Sequence, residues 1–134
     1  MSSFRIFEIG ASALSAQSVR LNTVASNLAN ADSVSGDPNT VYKARMPVFK
    51  AEDPTAPDSS GVQVLGIVEN QAEAQKRYEP GNPLADADGY VYAPNVNVVE
   101  EMVNMISASR SYQSNVEIIN TAKDLAMRTL NLGK

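Results

Sequence analysis

Cysteine, histidine and tryptophan are all missing from these 134 residues. Without cysteine there is no disulfide staple, no thiolate metal site and no cysteine nucleophile. Without histidine the commonest general base and the commonest metal ligand are gone, and a Ser-His-Asp triad cannot be built. Aromatic residues amount to only 6%, so a core has to rest on Leu, Ile, Val, Met and Ala. Positive charge is sparse too. The net charge is -4, whereas phosphate binding needs a concentrated basic face, so no nucleic-acid partner is expected. The densest basic group, Lys43, Arg45 and Lys50, reads as the solvated face of a strand. No run approaches the ~18 apolar residues of a membrane span. The start of the chain is a poor secretory signal, because Glu8 interrupts the apolar segment and Ser12, Ser15, Gln17 and Ser18 follow. Composition alone reads as cytosolic.

What is present divides the chain into three parts. All seven prolines lie between Pro38 and Pro94, and Gly36, Gly61, Gly66, Gly81 and Gly89 fall in the same middle part of the chain. Breakers concentrated in the middle leave both flanks free to form long helices. The boundaries expected from this are 1–33 for an N-terminal helix, 34–95 for a β-rich central segment, and 96–134 for a C-terminal helix.

The first flank carries a heptad stripe in which Ala11, Leu14, Ser18, Leu21, Ala25 and Leu28 alternate spacings of three and four. Small and large residues alternate along it, and the helix would be roughly 45 Å long. In the second flank Met102, Met105, Ser109, Tyr112, Val116, Ile119, Lys123, Ala126 and Leu130 keep the same spacing. Ile106, Ile118, Leu125 and Met127 lie outside that seam, so this helix has apolar surface on more than one side. Asn97, with Glu100 three residues later, is a capping-box pattern. Gly133 sits where a helix stop belongs. The middle offers short strands at Val41–Lys50, Val62–Glu69, Ala74–Tyr78 and Gly89–Ala93, with turn pairs Pro80-Gly81 and Asp88-Gly89. The acidic stretch Ala51–Ser60, with Pro54 and Pro57, reads as an exposed loop.

The expected fold class is α+β. Two long terminal helices would return side by side as an antiparallel coiled coil, with the small β-rich insert between them in sequence. The second helix would still expose apolar residues, and an exposed patch of that kind marks a partner surface. A self-contained α+β domain, with both helices simply covering the sheet, fits the same pattern. Met102 and Met105 are read as packing residues.

Site chemistry is thin. Asp86-Ala87-Asp88-Gly89 has part of a calcium-loop pattern, but Leu84 and Asn95 stand where ligands are required, so a turn is the better reading. Glu100 and Glu101 are adjacent on a helix and do not face each other; they suit its positive N-terminal end. No phosphate-binding glycine loop occurs. No catalytic constellation, cofactor, metal or small-molecule substrate is expected.

The flanks themselves carry a resemblance. The segment Leu21-Asn22-Thr23-Val24-Ala25-Ser26-Asn27-Leu28-Ala29-Asn30-Ala31-Asp32-Ser33 is similar to the N-terminal signature of bacterial flagellar rod and hook proteins. In many of them a Gly-Tyr-Lys follows at once. Here Val34–Thr40 intervenes before Val41-Tyr42-Lys43-Ala44, which resembles the proximal-rod branch of the basal-body rod family. Gly89-Tyr90-Val91-Tyr92, the run from Pro94-Asn95-Val96-Asn97 to Glu101-Met102-Val103, and Ala108–Val116 resemble that branch as well. The likeness covers both flanks and is weak over about residues 51–75.

That resemblance implies a structural subunit of the rod. Its terminal helices would polymerise into a tubular drive shaft for flagellar motility. It implies export through the flagellar type III apparatus without a cleaved signal, and a final place in the periplasm-spanning rod. The implied partners are copies of the chain, other rod proteins, and adaptor and export-gate components of the basal body. Packing and assembly are expected from Leu14, Leu21, Ala25, Leu28, Met102, Met105, Tyr112, Val116, Ile119 and Leu130. The family-motif positions are Asn27, Asn30, Tyr42, Pro94, Asn95, Asn97 and Glu101. The rival expectation is a soluble helical adaptor or secreted interaction protein that forms no polymer.

Overall fold

The computed structural model describes residues 3–53, 55 and 60–133. Helix α1 spans Ser3–Ala29. Four strands follow: β1 (Arg45–Ala51), β2 (Val62–Glu69), β3 (Gln75–Tyr78) and β4 (Tyr90–Ala93). Helix α2 closes the order at Val98–Leu132. This is an α+β chain with long helices at both ends and short strands between. Each expected strand has its counterpart. The tip of the acidic loop, Pro54 and residues 56–59, lies outside the described residues.

Local chemistry sets the helix ends. Asn97 caps α2: its Oδ1 accepts from the N–H groups of Val99 at 3.1 Å and Glu100 at 3.3 Å. Glu100 and Glu101 occupy the first turn, where the helix dipole favours anions. Helix α1 ends in a turn where Asn30 donates from Nδ2 to the Ser26 carbonyl at 2.9 Å. Ser33 then donates to the Asn30 carbonyl, so the last carbonyls are used before the chain turns away.

The strands form two ribbons of two strands each, β1 with β2 and β3 with β4. In the second the pairing is antiparallel, with Gln75 opposite Ala93 and Tyr78 opposite Tyr90. Tyr92 also exchanges both backbone bonds with Ser35, so the connector after α1 adds a single bridge to β4.

By packing, the chain falls into two compact units. One holds Met1–Leu21, Pro47–Gly66 and Ile106–Lys134; the other holds Asn22–Met46 and Ile67–Met105. In the first, the helices approach closely: a Cβ on Gly10 would stand 2.8 Å from Ile119 Cγ1. Phe4, Ile6 and Phe7 share an apolar hollow with Ala122, Leu125 and Leu130. Residue numbers rise along one helix as they fall along the other, so the helices run antiparallel there. In the second unit Val91 and Ala93 are fully buried, and Ala31, Ala44 and Val96 form a buried cluster with Tyr42 packed against it.

Burial along the helices departs from the expected heptads. In α1 the enclosed residues are Gly10, Ala16, Thr23, Val24 and Asn27. Leu14, Leu21 and Leu28 are only half-buried, and Ala11, Ser18 and Ala25 are exposed. In α2, Met105, Ile119 and Ala126 of the expected seam are half-buried. Ser109 and Val116 are half-buried as well, the fully buried positions are Ala108 and Ala122 outside the seam, and Lys123 of the seam is exposed. The physical reason is close approach. Where a helix backbone comes near a neighbour, small side chains and hydrogen-bonded amides fit best, and most larger ones, Val24 excepted, spread to the flanks.

Candidate assembly site

Three of the family-motif residues, Asn27, Tyr42 and Glu101, come together within the second unit, where Asn27 is fully buried. Asn27, in the last turn of α1, is 1% exposed. Its Oδ1 accepts from the Arg45 N–H at 2.9 Å, and its Nδ2 donates to the Arg45 carbonyl at 2.8 Å. A helix side chain thus makes to the first residue of β1 the two bonds a neighbouring strand would make. The remaining capacity is also used. The Tyr42 hydroxyl donates to Oδ1 at 2.9 Å, and Nδ2 donates to Glu101 Oε2 at 3.1 Å. The Ser26 and Tyr42 hydroxyls lie 3.0 Å apart. Every donor and acceptor of the Asn27 amide is matched, as burial requires.

Asn95 makes a second knot in the same unit. Its Oδ1 accepts from the Ala44 N–H at 2.7 Å, and its Nδ2 donates to the carbonyls of Asn70 at 3.0 Å and Ala72 at 2.8 Å. Asn70 in turn donates its N–H to the Ala44 carbonyl at 2.7 Å. Pro94, which is fully buried, precedes it. Arg45 leans over the Tyr42 ring, 5.5 Å from its centre, and pairs with Glu69 at 3.8 Å across half-exposed side chains. That pair is worth little in water.

Asn27, Tyr42, Asn95 and Glu101 are therefore joined by hydrogen bonds to segments far off in sequence. Asn30 and Asn97 act locally, as helix-end groups. The pattern gave no reason to expect Arg45 and the Asn70–Ala72 carbonyls as their partners, because backbone groups carry no residue signature. Asn27 was legible only as a motif position.

The expected packing residues divide by exposure. Leu14, Leu21, Leu28, Met105, Val116 and Ile119 are half-buried; Ala25, Met102, Tyr112 and Leu130 face outward. On α2, Val99, Met102, Val103 and Ile106 stand at the i, i+3, i+4 and i+7 positions of one face, each more than half exposed. Ile118, Leu125, Met127 and Leu130 extend apolar exposure towards the other end of that helix. The exposed side of α1 is lined by small residues, Ala11, Ser15, Ser18, Asn22, Ala25 and Ala29. Such surface does no chemistry. It can hold a partner. Among the described residues no cluster of carboxylates could hold a metal ion.

Comparison with known proteins shows the family. Residues 7–36 match the family model described as flagella basal body rod protein, and residues 87–132 match that of the flagellar basal body rod FlgEFG protein C-terminal. The flagellar basal-body rod protein FlgC of Salmonella typhimurium is 54% identical over 134 residues, covering the whole of both chains. FlgC of Escherichia coli O157:H7 has the same identity and coverage. FlgC of Buchnera aphidicola subsp. Acyrthosiphon pisum is 41% identical over 142 residues, again spanning both chains. These full-length matches span residues 51–75, which neither family model covers.

Proposed function

The chain belongs to the flagellar basal-body rod protein family, and from that membership we infer that it is a structural subunit of the rod, FlgC-like in kind. The observation that carries this is similarity over the whole of this chain to relatives named as rod proteins. The site described above fits a mechanical part. It has a satisfied polar knot to hold its shape, and apolar helix faces left over for neighbours.

In this reading the terminal helices are the polymerising elements. Residues 1–33 and 96–134 supply them, and the β-rich 34–95 holds them in register. In the rod the helices of successive copies form a coiled-coil-like inner layer of a tube. Contacts are head-to-tail, since an interface that does not close on itself builds a helix. Leu14, Leu21, Leu28, Met105, Val116 and Ile119 pack within and along the helices. Ala25, Met102, Tyr112 and Leu130, exposed on the free chain, meet other subunits. The subunit reaches the periplasm through the flagellar type III apparatus without a cleaved signal. At the rod base it also touches adaptor and export-gate components. The cytosolic reading of the composition is then only the place of synthesis.

The test is a strain lacking this protein, complemented with Met102→Asp or Val103→Asp. Both side chains are exposed, so the purified variants should melt like the parent while rods fail to assemble and motility is lost. Normal rods and swimming with both substitutions would sink the helix-face reading. Absence of the unaltered chain from isolated basal bodies would sink the function itself.

A further inference from the structure

The second unit has a polar hollow that the asparagine knots do not use. Its volume is ≈ 510 Å³, and Asn30, Ser33, Asn39, Thr40, Lys43 and Arg45 are among the residues around it. The connector after α1 makes its wall and is well fixed. Ser35 bridges to Tyr92, the Ser35 and Thr40 hydroxyls lie 2.6 Å apart, and Asp37 accepts from the Asn39 N–H at 2.8 Å. Two cations and one anion face the hollow. Arg45 is engaged by Glu69. Lys43 is half-buried, and its ammonium meets no partner among the described residues. On a chain of net charge -4, a local positive excess in a concave, hydroxyl-lined site is suited to a carboxylate.

A matching group stands elsewhere on the same chain. Glu52 and Asp53 are exposed where β1 gives way to the acidic loop. The base of that loop is closed by the Glu52 N–H on the Gly61 carbonyl at 2.9 Å. The Asp53 N–H also donates to the Ser60 hydroxyl at 2.7 Å. Asp53 Oδ1 is taken up by Thr55. The Glu52 carboxylate has no hydrogen-bond or ion partner among the described residues. The chain thus carries an unmatched cation in a hollow of the second unit and an unmatched anion at the end of β1 in the first.

We propose that the Lys43 hollow receives the Glu52–Asp53 turn of a second copy of this chain, as a heterologous contact between successive subunits. Patches that differ on one chain and fit each other between copies do not close into a dimer; they propagate. The contact adds a polar, register-setting interaction to the apolar helix faces. A pair of complementary charges fixes which subunit follows which, and at what offset, more than it adds raw affinity. It presupposes the rod-subunit function above.

Charge reversal in the complemented strain tests it, with copies of this chain per isolated basal body as the readout. Lys43→Glu should lower the count by about tenfold, and so should Glu52→Lys with Asp53→Lys, in line with close interfacial charge pairs. Combining all three should restore most of it. Lys43→Gln, which removes the charge without reversing it, should give an intermediate loss. Because the chain has no cysteine, Lys43→Cys with Glu52→Cys gives a clean second arm. A short bis-maleimide should link these variants into a ladder of chains within basal bodies. Single losses without restoration would assign the hollow to another partner's acid and overturn the proposal. A link only within one chain, no link, or unchanged counts would overturn it as well. In each of these cases the unaltered chain is still found in the rod, so failure of the contact stays distinct from failure of the function.

Discussion

Removing the Asn27 side chain should unsettle the fold more than any change at a polar, nominally helical-surface residue would. Asn27→Ala deletes four hydrogen bonds of 2.8–3.1 Å, to the Arg45 N–H and carbonyl, the Tyr42 hydroxyl and Glu101 Oε2. Each is worth ~1 kcal/mol net, and orphaning a buried partner adds to the loss. Water offsets part of it, because Arg45 is exposed and Tyr42 and Glu101 are half-buried. The expected cost is ~3 kcal/mol, at the upper end for single substitutions. With a urea slope of ~2 kcal/mol/M, the unfolding midpoint followed by circular dichroism should fall by ~1.5 M. Asn27→Asp should cost at least as much. It sets a carboxylate oxygen where the amide donated, against the Arg45 carbonyl and Glu101. Tyr42→Phe should cost ~1 kcal/mol, since it loses only hydroxyl bonds. The control is Asn22→Ala on the exposed side of the same helix, expected to be close to neutral. A midpoint for Asn27→Ala indistinguishable from that of Asn22→Ala would refute the account of the knot.

Gly10→Val should destabilise by ~2 kcal/mol through overpacking against Ile119, and Ile119→Ala in the same chain should recover part of it in a thermal melt; additive losses would mean the two do not touch. Asn95→Asp turns a donor to two carbonyls into an anion facing them. That raises the carboxyl's folded-state pKa above its unfolded value, so the variant should gain stability relative to the parent as pH falls through the carboxylate range. A gap that stays constant in pH-dependent urea titrations would contradict this. Gln17 has an enclosed Oε1 with no hydrogen-bond partner among the described residues. Gln17→Met should therefore be neutral to stabilising by ~1 kcal/mol, and a clear loss by calorimetry would reveal a partner for that oxygen.

How far the sequence reached is best judged from particular positions. The strands at Val62–Glu69 and Gln75–Tyr78 were legible because turn residues bound them on both sides, and the helices because proline stops at Pro94 and begins at Pro38. Those signals are local, and local signals survive folding. The inner side of α1 was not legible. A heptad of Leu14, Leu21 and Leu28 is a pattern in hydrophobicity, whereas Gly10, Ala16, Thr23 and Asn27 are enclosed because they are small or fully hydrogen-bonded. Hydrophobicity predicts what gains from leaving water; close approach selects what fits, and the two criteria point to different sides of this helix. The same conflict explains α2, where Ala108 and Ala122 are buried while Val99 and Met102 remain outside.

The exposed apolar residues are what would be misplaced in a monomeric protein. On the reading proposed above they are contacts that a neighbouring subunit completes. A chain whose tight inner surface is made of small residues and amides has its large apolar side chains free to face a neighbour. The Asn27 and Asn95 knots make that division workable. They hold α1, the connector and the start of α2 together by directional bonds, so unit geometry does not depend on burying Val99, Met102, Val103 and Ile106. Polar bonds within the second unit and apolar contacts between subunits are then separable by mutation. Asn27→Ala should lower the stability of the free chain, and Met102→Asp should leave that stability alone and abolish the rod.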